Sequence, residues 1–155
     1  MLPMTPDAKS PFMTDKDWSA VAPFFTPEEK WGDWRKVHKE LIFNLLAFRR
    51  FVNRPVVILN AYELTGHTGE YHPKGMAADF YVKGMNVVDQ FIALTRFDGF
   101  NGIGIYPHWR PQGGLHGDIR PKENRFDPDA RWIRDKAGNY IALTWENLLK
   151  EVKNG

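Results

Sequence analysis

The chain has no cysteine among its 155 residues, which excludes both a disulfide framework and a thiolate-bound metal. It also lacks a strong charge of either sign. Its 21 Lys and Arg stand against 19 Asp and Glu, and without a dense basic block this balance gives no indication of a nucleic-acid partner. No apolar run approaches the ~18 residues of a membrane span. A metal ion in this chain would therefore have to be held by His, Asp or Glu.

The remaining composition is that of a globular protein, with 43% hydrophobic and 14% aromatic residues. The length fits one domain, and neither repeats nor a domain boundary interrupt it. We therefore take residues 1–155 as a single domain, with residues 1–13 as a loose lead-in. No secretory apolar segment stands near Met1, so we expect a soluble, cytoplasmic protein that is not inserted in a membrane; an exported form is the alternative if a leader was removed. A monomer is favoured.

Helices are predicted in the first third of the chain. Thr14 can cap a helix that runs to Val21, and residues 26–29, Thr-Pro-Glu-Glu, are typical of a helix start with a capping box. From residue 34 to 52, apolar side chains recur every three or four positions, which predicts one long amphipathic helix.

Strands dominate the rest. Apolar or β-branched runs predict strands over residues 55–62, 77–82, 101–107 and 115–119 and a hairpin over 132–143. A helix capped by Asn86 separates the second strand from the third, and a last helix follows Thr144. The fold class is therefore α+β, with N-terminal helices packed on a mainly antiparallel sheet.

Two segments carry metal-ligand chemistry. His72 and Asp79 stand seven positions apart with Gly75 between them, and His116 follows in a predicted strand, two positions before Asp118. A His–Asp interval arises often by chance, but a second histidine on a rigid strand makes a ligand set more plausible. Two imidazoles and one carboxylate can bind zinc and leave a fourth position for water.

Three motifs together resemble the zinc D-Ala-D-Ala metallopeptidase family. They are His-x-x-Gly-x-Ala-x-Asp at 72–79, Gly-Ile-Gly-Ile-Tyr-Pro at 102–107 and His-x-Asp-x-Arg at 116–120. The resemblance covers about residues 55–135. It implies the fold shared by DD-carboxypeptidases, phage L-alanyl-D-glutamate endopeptidases and the hedgehog signalling domain. It also implies cleavage of peptides that contain D-amino acids in bacterial peptidoglycan. The implied zinc ligands are His72, Asp79 and His116.

The chain departs from the family pattern at three positions. Glu70 stands where many members have serine, Glu63 stands where many have arginine, and Gly113 stands where several branches have an acidic general base. The proton acceptor for a zinc-bound water therefore has to be sought elsewhere. The candidates are Asp118, His108 and Glu70, with Asp118 preferred and a role in orienting a ligand as its alternative.

Substrate contacts are predicted from the residues around the last motif. A peptide carboxylate needs a cation, and Arg110 or Arg120 could supply a guanidinium, although a surface salt bridge is the alternative for each. Tyr106 and Trp109 could form a wall of the groove. We thus expect a zinc-dependent peptidase that acts on peptidoglycan stem peptides, of the phage or prophage lysis type. The alternatives are a non-catalytic zinc module that binds a peptide or partner, and a metal-free structural protein.

Overall fold

A computed structural model describes residues 10–64, 70–123 and 130–153. These residues form four α-helices, one 3-10 turn and six strands. The helices are α1 (Asp15–Val21), α2 (Lys39–Val52), α3 (Val87–Arg96) and α4 (Trp145–Lys153), and the 3-10 turn is Trp34–Lys36. The strands are β1 (Val56–Asn60), β2 (Ala77–Val82), β3 (Gly102–Tyr106), β4 (Gly114–Asp118), β5 (Ala130–Arg134) and β6 (Tyr140–Ala142).

The strands make one sheet in the order β1-β2-β4-β3-β5-β6. Every neighbouring pair is antiparallel except β3 and β5, which run parallel. The predicted α+β class with a mainly antiparallel sheet is therefore confirmed. The parallel pair arises because β5 adds to β3 rather than to β4, the strand before it in the chain.

The two faces of the sheet have different contents, because successive side chains of a strand point in opposite directions. On one face, Phe80 and neighbouring apolar residues pack under α2 and α3, and Phe48 of α2 contacts the rings of Phe80, Phe97 and Phe100. The opposite face carries Asp79 and His116, which are paired in register across β2 and β4. The helices thus stabilise the sheet from behind the site.

The long helix predicted for residues 34–52 is broken at Val37 and His38, and this part of the prediction is wrong. Val37 has extended backbone angles, and its carbonyl accepts a hydrogen bond from Met13 N–H, while His38 N–H donates to the Gly75 carbonyl. Those two groups are used by distant segments, so they cannot propagate a helix. Phe12 forms an antiparallel bridge with His38, so the last part of the lead-in is packed and not loose.

The helix predicted to start at Thr26 does not form either. Thr26 N–H does donate to the Glu29 side chain at 2.7 Å, as in half of a capping box. The chain then turns instead of coiling, because the Trp31 indole donates to the Thr26 carbonyl at 2.7 Å and the Trp31 carbonyl accepts from Tyr62 N–H. Burial of Trp31, whose carbonyl is bonded to Tyr62 N–H, therefore overrides the local signal.

The predicted caps of the other helices are confirmed. Thr14 and Asp17 form a reciprocal capping box at α1, the Asn86 side chain accepts from Asp89 N–H at α3, and Thr144 accepts from Asn147 N–H at α4. Within the described ranges, none of the helices is long and apolar enough to cross a lipid bilayer.

Candidate metal centre

Three side chains from three separate segments converge on the face of the sheet opposite α2. His72 lies in the turn before β2, Asp79 in β2 and His116 in β4. One ligand atom from each lies within 4.8 Å of the others, and all three residues are buried. His72 Nε2 is 3.5 Å from Asp79 Oδ2, and His116 Nδ1 is 3.1 Å from Asp79 Oδ1. Ligand atoms about 3.3–3.5 Å apart are what tetrahedral zinc with bonds of about 2.0–2.2 Å requires.

The tautomer of His72 suits ligation. Its Nδ1 is 2.7 Å from the Ala61 carbonyl oxygen, and a carbonyl can only accept, so Nδ1 carries the proton. In the neutral imidazole Nε2 then carries the lone pair, and Nε2 is the atom that faces Asp79. A backbone carbonyl that fixes a histidine in this way is the usual support of a metal ligand.

The turn that presents His72 depends on Gly75. This residue has φ +70°, which L side chains rarely adopt, and a Cβ at this position would overlap the Lys36 carbonyl. Gly75 N–H donates to the His72 carbonyl, and its own carbonyl accepts from His38 N–H. The turn is therefore attached to the region where the predicted helix is broken.

His116 lies between two carboxylates. Its Nε2 is 2.8 Å from Asp118 Oδ2, and its Nδ1 faces Asp79. Burial by itself lowers the pKa of His116, but the hydrogen bonds to Asp118 and Asp79 outweigh it and the pKa is raised. With Nε2–H donated to Asp118, Nδ1 is the nitrogen that can bind a metal.

Asp118 is fully engaged. Its two oxygens accept from His116, from the Arg120 backbone N–H at 3.1 Å, and from Arg120 Nε and Nη2 at 2.8 and 2.6 Å. Burial raises its pKa, but the guanidinium and the imidazole outweigh burial and hold the pKa well below the usual range. The Arg120 guanidinium lies 4.6 Å from the Tyr71 ring centroid. Asp118 is thus an ionised acceptor that fixes the His116 ring.

Trp132 was not recognised from the sequence, although it lies against a ligand. Its ring centroid is 4.7 Å from that of His116, and it reaches His116 across Gly104, the residue paired with both of them in the sheet. A Cβ at Gly104 would overlap the indole. A glycine inside a strand often marks such a close approach, and this was the available signal.

Tyr106 is buried beside the centre and stacks on Trp109, with the ring centroids 3.9 Å apart. Burial raises the pKa of its hydroxyl far above the ordinary value, and the negative charge of Asp79 raises it further. The hydroxyl therefore keeps its proton and can act as a hydrogen-bond donor next to the ligands.

The remaining predicted residues lie farther along this side of the domain. His108 Nε2 is 3.1 Å from Glu151 Oε1 of α4, and Arg110 lines a cavity of about 670 Å³ together with His108 and Trp109. Among the described residues, His108 pairs with Glu151 and not with the metal ligands. The structure thus brings together Asp118, Arg120 and Tyr106 with the three ligands, but not His108.

The three positions that depart from the family pattern have clear environments. The Glu63 carboxylate accepts from Asn60 Nδ2 at 2.9 Å. The Glu70 side chain is 68% exposed and forms an ion pair with Lys74 at 3.3 Å. Gly113 has φ +78°, and a Cβ there would come within 3.1 Å of the Val87 side chain. A glutamate at position 113 would therefore be strained in this backbone.

The donor set fits zinc. Imidazole nitrogens and a carboxylate oxygen are donors that zinc accepts, and here they come from three separate segments of the chain. No protein-family model matches the chain, and neither a curated protein nor a solved structure matches it. The class of the protein therefore has to be described from its own fold and candidate site, without a relative. It is an α+β domain with a buried His72–Asp79–His116 group that could hold a metal ion.

Proposed function

We propose that this protein is a zinc-dependent peptidase that hydrolyses peptidoglycan stem peptides at bonds involving D-amino acids. The observation that carries the proposal is the convergence of His72, Asp79 and His116, with His72 Nδ1 donating to the Ala61 carbonyl. The family resemblance of the three motifs supplies the substrate class. A phage or prophage lysis enzyme is the setting we infer.

The residues of the chain would divide the work as follows. Zinc held by the three ligands would supply a Lewis acid and a bound water with a pKa of about 7. Asp118, fixed by Arg120, keeps the His116 ring in place. The Tyr106 hydroxyl stays protonated, because burial and the charge of Asp79 raise its pKa. It can therefore donate a hydrogen bond to the oxygen of a substrate carbonyl.

We assign the proton acceptor by comparing the hydrogen bonds and ion pairs that each candidate side chain already makes. The Asp118 carboxylate accepts from the His116 ring and from the backbone and guanidinium of Arg120, which suits it to positioning. His108 is bonded to Glu151. The Glu70 carboxylate forms an exposed ion pair with Lys74, which is worth about 0–1 kcal/mol, and its charge acts on Arg120. We therefore expect Glu70→Gln to lower kcat more than His108→Gln does.

The test is mass spectrometry of defined muropeptides incubated with the zinc-loaded protein. We expect one peptide bond to be cleaved, with loss of cleavage in His116→Ala and after chelation. The same spectra identify the scissile bond, either between L-Ala and D-Glu or between two D-Ala residues. Intact muropeptides at every pH, with zinc bound, would contradict a peptidase.

A second candidate is a non-catalytic zinc module that binds a peptide or a partner. The environment of Gly113 favours it, because the backbone at this position does not accommodate the acidic residue of the family. Zinc bound in a 1:1 ratio, saturable binding of muropeptides and no hydrolysis would support this candidate. Cleavage that depends on His116 would exclude it.

A further inference from the structure

A second cavity, of about 380 Å³, lies at the end of β3, next to Tyr106. Its walls include Tyr106 and Trp109 on one side and Arg134 and Gly138 of the β5–β6 hairpin on the other. Its volume is at the lower end of the range for small-ligand sites. Of these residues, Tyr106 and Trp109 were predicted to form a wall of the substrate groove, whereas Arg134 and Gly138 were not.

Strand register connects this cavity to the metal centre. Gly104 pairs with His116 on one side and with Trp132 on the other. Two residues farther along β3, Tyr106 has β4 on one side and Arg134 of β5 on the other. From strand spacing, the Cα atoms of Arg134 and His116 are about 12 Å apart on the same face of the sheet. Strand register thus places Tyr106 between the candidate ligands and the arginine, and the charges of both Asp79 and Arg134 act on its hydroxyl.

The Arg134 guanidinium is held against an aromatic ring and keeps its N–H groups available. Its Cζ lies 5.6 Å from the Tyr140 ring centroid, and stacking on a ring leaves the N–H groups of the fork available. In the part of the chain that the structure describes, no residue accepts a hydrogen bond from it or forms an ion pair with it. The neighbouring Asp135 carboxylate is directed into the hairpin, where it accepts from Asn139 N–H at 2.8 Å.

We propose that this cavity is a carboxylate-binding subsite in which Arg134 binds a carboxylate of the peptide whose scissile bond lies at the metal centre. The inference rests on the proposed function. An arginine side chain spans roughly half of the distance to His116, so the carboxylate lies about one or two residues from the scissile bond. It is either the C-terminal carboxylate or a side-chain carboxylate of the stem peptide. Arg134 is thereby a specificity-determining residue.

The test compares stem peptides that differ in one carboxylate. Each peptide is prepared as the free acid, with the C-terminus amidated, and with each side-chain carboxylate amidated in turn. The proteins are the zinc-loaded wild type, Arg134→Gln and Arg134→Lys. Arg131→Gln is the matched control, because Arg131 is an exposed arginine of the same strand on the opposite face. Thermal unfolding shows that each variant is folded.

For the wild type, we expect amidation of one carboxylate to lower kcat/KM about 10- to 100-fold, the size of one charge-assisted contact. Arg134→Gln should bring the acid and that amide within about threefold of each other, mainly through KM for the acid. Arg134→Lys keeps the charge without the fork and should retain part of the preference. Arg131→Gln should behave as the wild type. The amide that loses activity identifies which carboxylate is bound.

Equal cleavage of the acid and of every amide by the wild type would overturn the subsite and leave the proposed peptidase intact. An equal loss of preference in Arg131→Gln would also overturn it, because the effect would then be one of overall charge. If no peptide is cleaved, the peptidase proposal fails, and the uncleaved peptides become binding probes for the zinc-loaded protein. Tighter binding of one acid, lost in Arg134→Gln, would then support the subsite, and equal binding would overturn it.

Discussion

Replacing Asp118 by asparagine tests the support of the metal centre most directly. The substitution keeps the shape of the side chain but leaves one acceptor oxygen where there were two, so the new NH₂ group faces either Arg120 or His116, both of which are donors. It also removes the charge that pairs with Arg120, whose side chain is 22% exposed while that of Asp118 is fully buried.

Two magnitudes follow for Asp118→Asn. Breaking a buried ion pair costs about 3–5 kcal/mol. Because Arg120 is partly exposed, we expect the unfolding free energy to fall by about 3 kcal/mol, the lower end of this range. A carboxylate that orients a metal-binding histidine contributes about 10- to 100-fold to metal affinity, so the dissociation constant for zinc should rise by that factor. Urea unfolding of the metal-free protein and zinc titration against a competing chelator measure the two effects separately.

Asp98→Asn is the matched control for Asp118→Asn. The Asp98 side chain is 94% exposed and lies 3.9 Å from Lys122, so its loss should cost less than about 1 kcal/mol and leave zinc affinity unchanged. If Asp118→Asn changed the unfolding free energy by less than about 0.5 kcal/mol and left the zinc dissociation constant equal to that of the wild type, Asp118 would not support His116 and the reasoning would be refuted.

Two further substitutions test the surroundings of the site, and a third tests the capping box of α1. Gly104→Ala should cost about 1–3 kcal/mol and alter tryptophan fluorescence, because the methyl group displaces Trp132; an unchanged spectrum and stability would contradict this. Gly75→Ala should cost at least about 1–3 kcal/mol in urea unfolding, since φ is +70° and the methyl overlaps the Lys36 carbonyl; wild-type stability would show that the turn can relax. Burial raises the pKa of Asp17, but its capping hydrogen bonds outweigh burial and lower the pKa. Its stabilisation is therefore present above pH ~4 and lost as the pH falls below that value, so Asp17→Asn should cost about 1 kcal/mol at pH 7 and less at pH 3; an equal cost at both pH values would contradict this.

The helix breaks show where local patterns lose to distant partners. The apolar stripe of residues 34–52 is real, and α2 buries most of it, but the pattern contains no information about the hydrogen bonds that Met13 and Gly75 make to Val37 and His38. The start at Thr26 has the right residues for a cap, and the burial of Trp31 redirects the chain after it. In both cases a non-local contact uses the backbone that a helix would need.

For the metal centre, too, the sequence predicted local features and missed contacts between distant segments. The sequence supplied the ligand types and their motifs, and the alternation of the strands indicated that His116 and Asp118 share a face. It did not show that Arg120 pairs with the buried Asp118, because a substrate contact and a surface salt bridge both stayed open for this guanidinium. It also did not show that the Trp132 ring lies against the His116 ring. The two residues belong to β5 and β4, which are brought close because both pair with β3 in the sheet.

By itself, then, the sequence determined the features that depend on near neighbours in the chain: the α+β class, the caps of α1, α3 and α4, the approximate positions of the strands, and the residue types able to hold zinc. Beyond the β5–β6 hairpin, which the sequence predicted, only the tertiary structure decided which strands pair, and that pairing placed Asp79 opposite His116 in register. The physical reason is that caps and alternation are set within a few residues, whereas a ligand cluster requires hydrogen bonds between segments that are far apart in the chain.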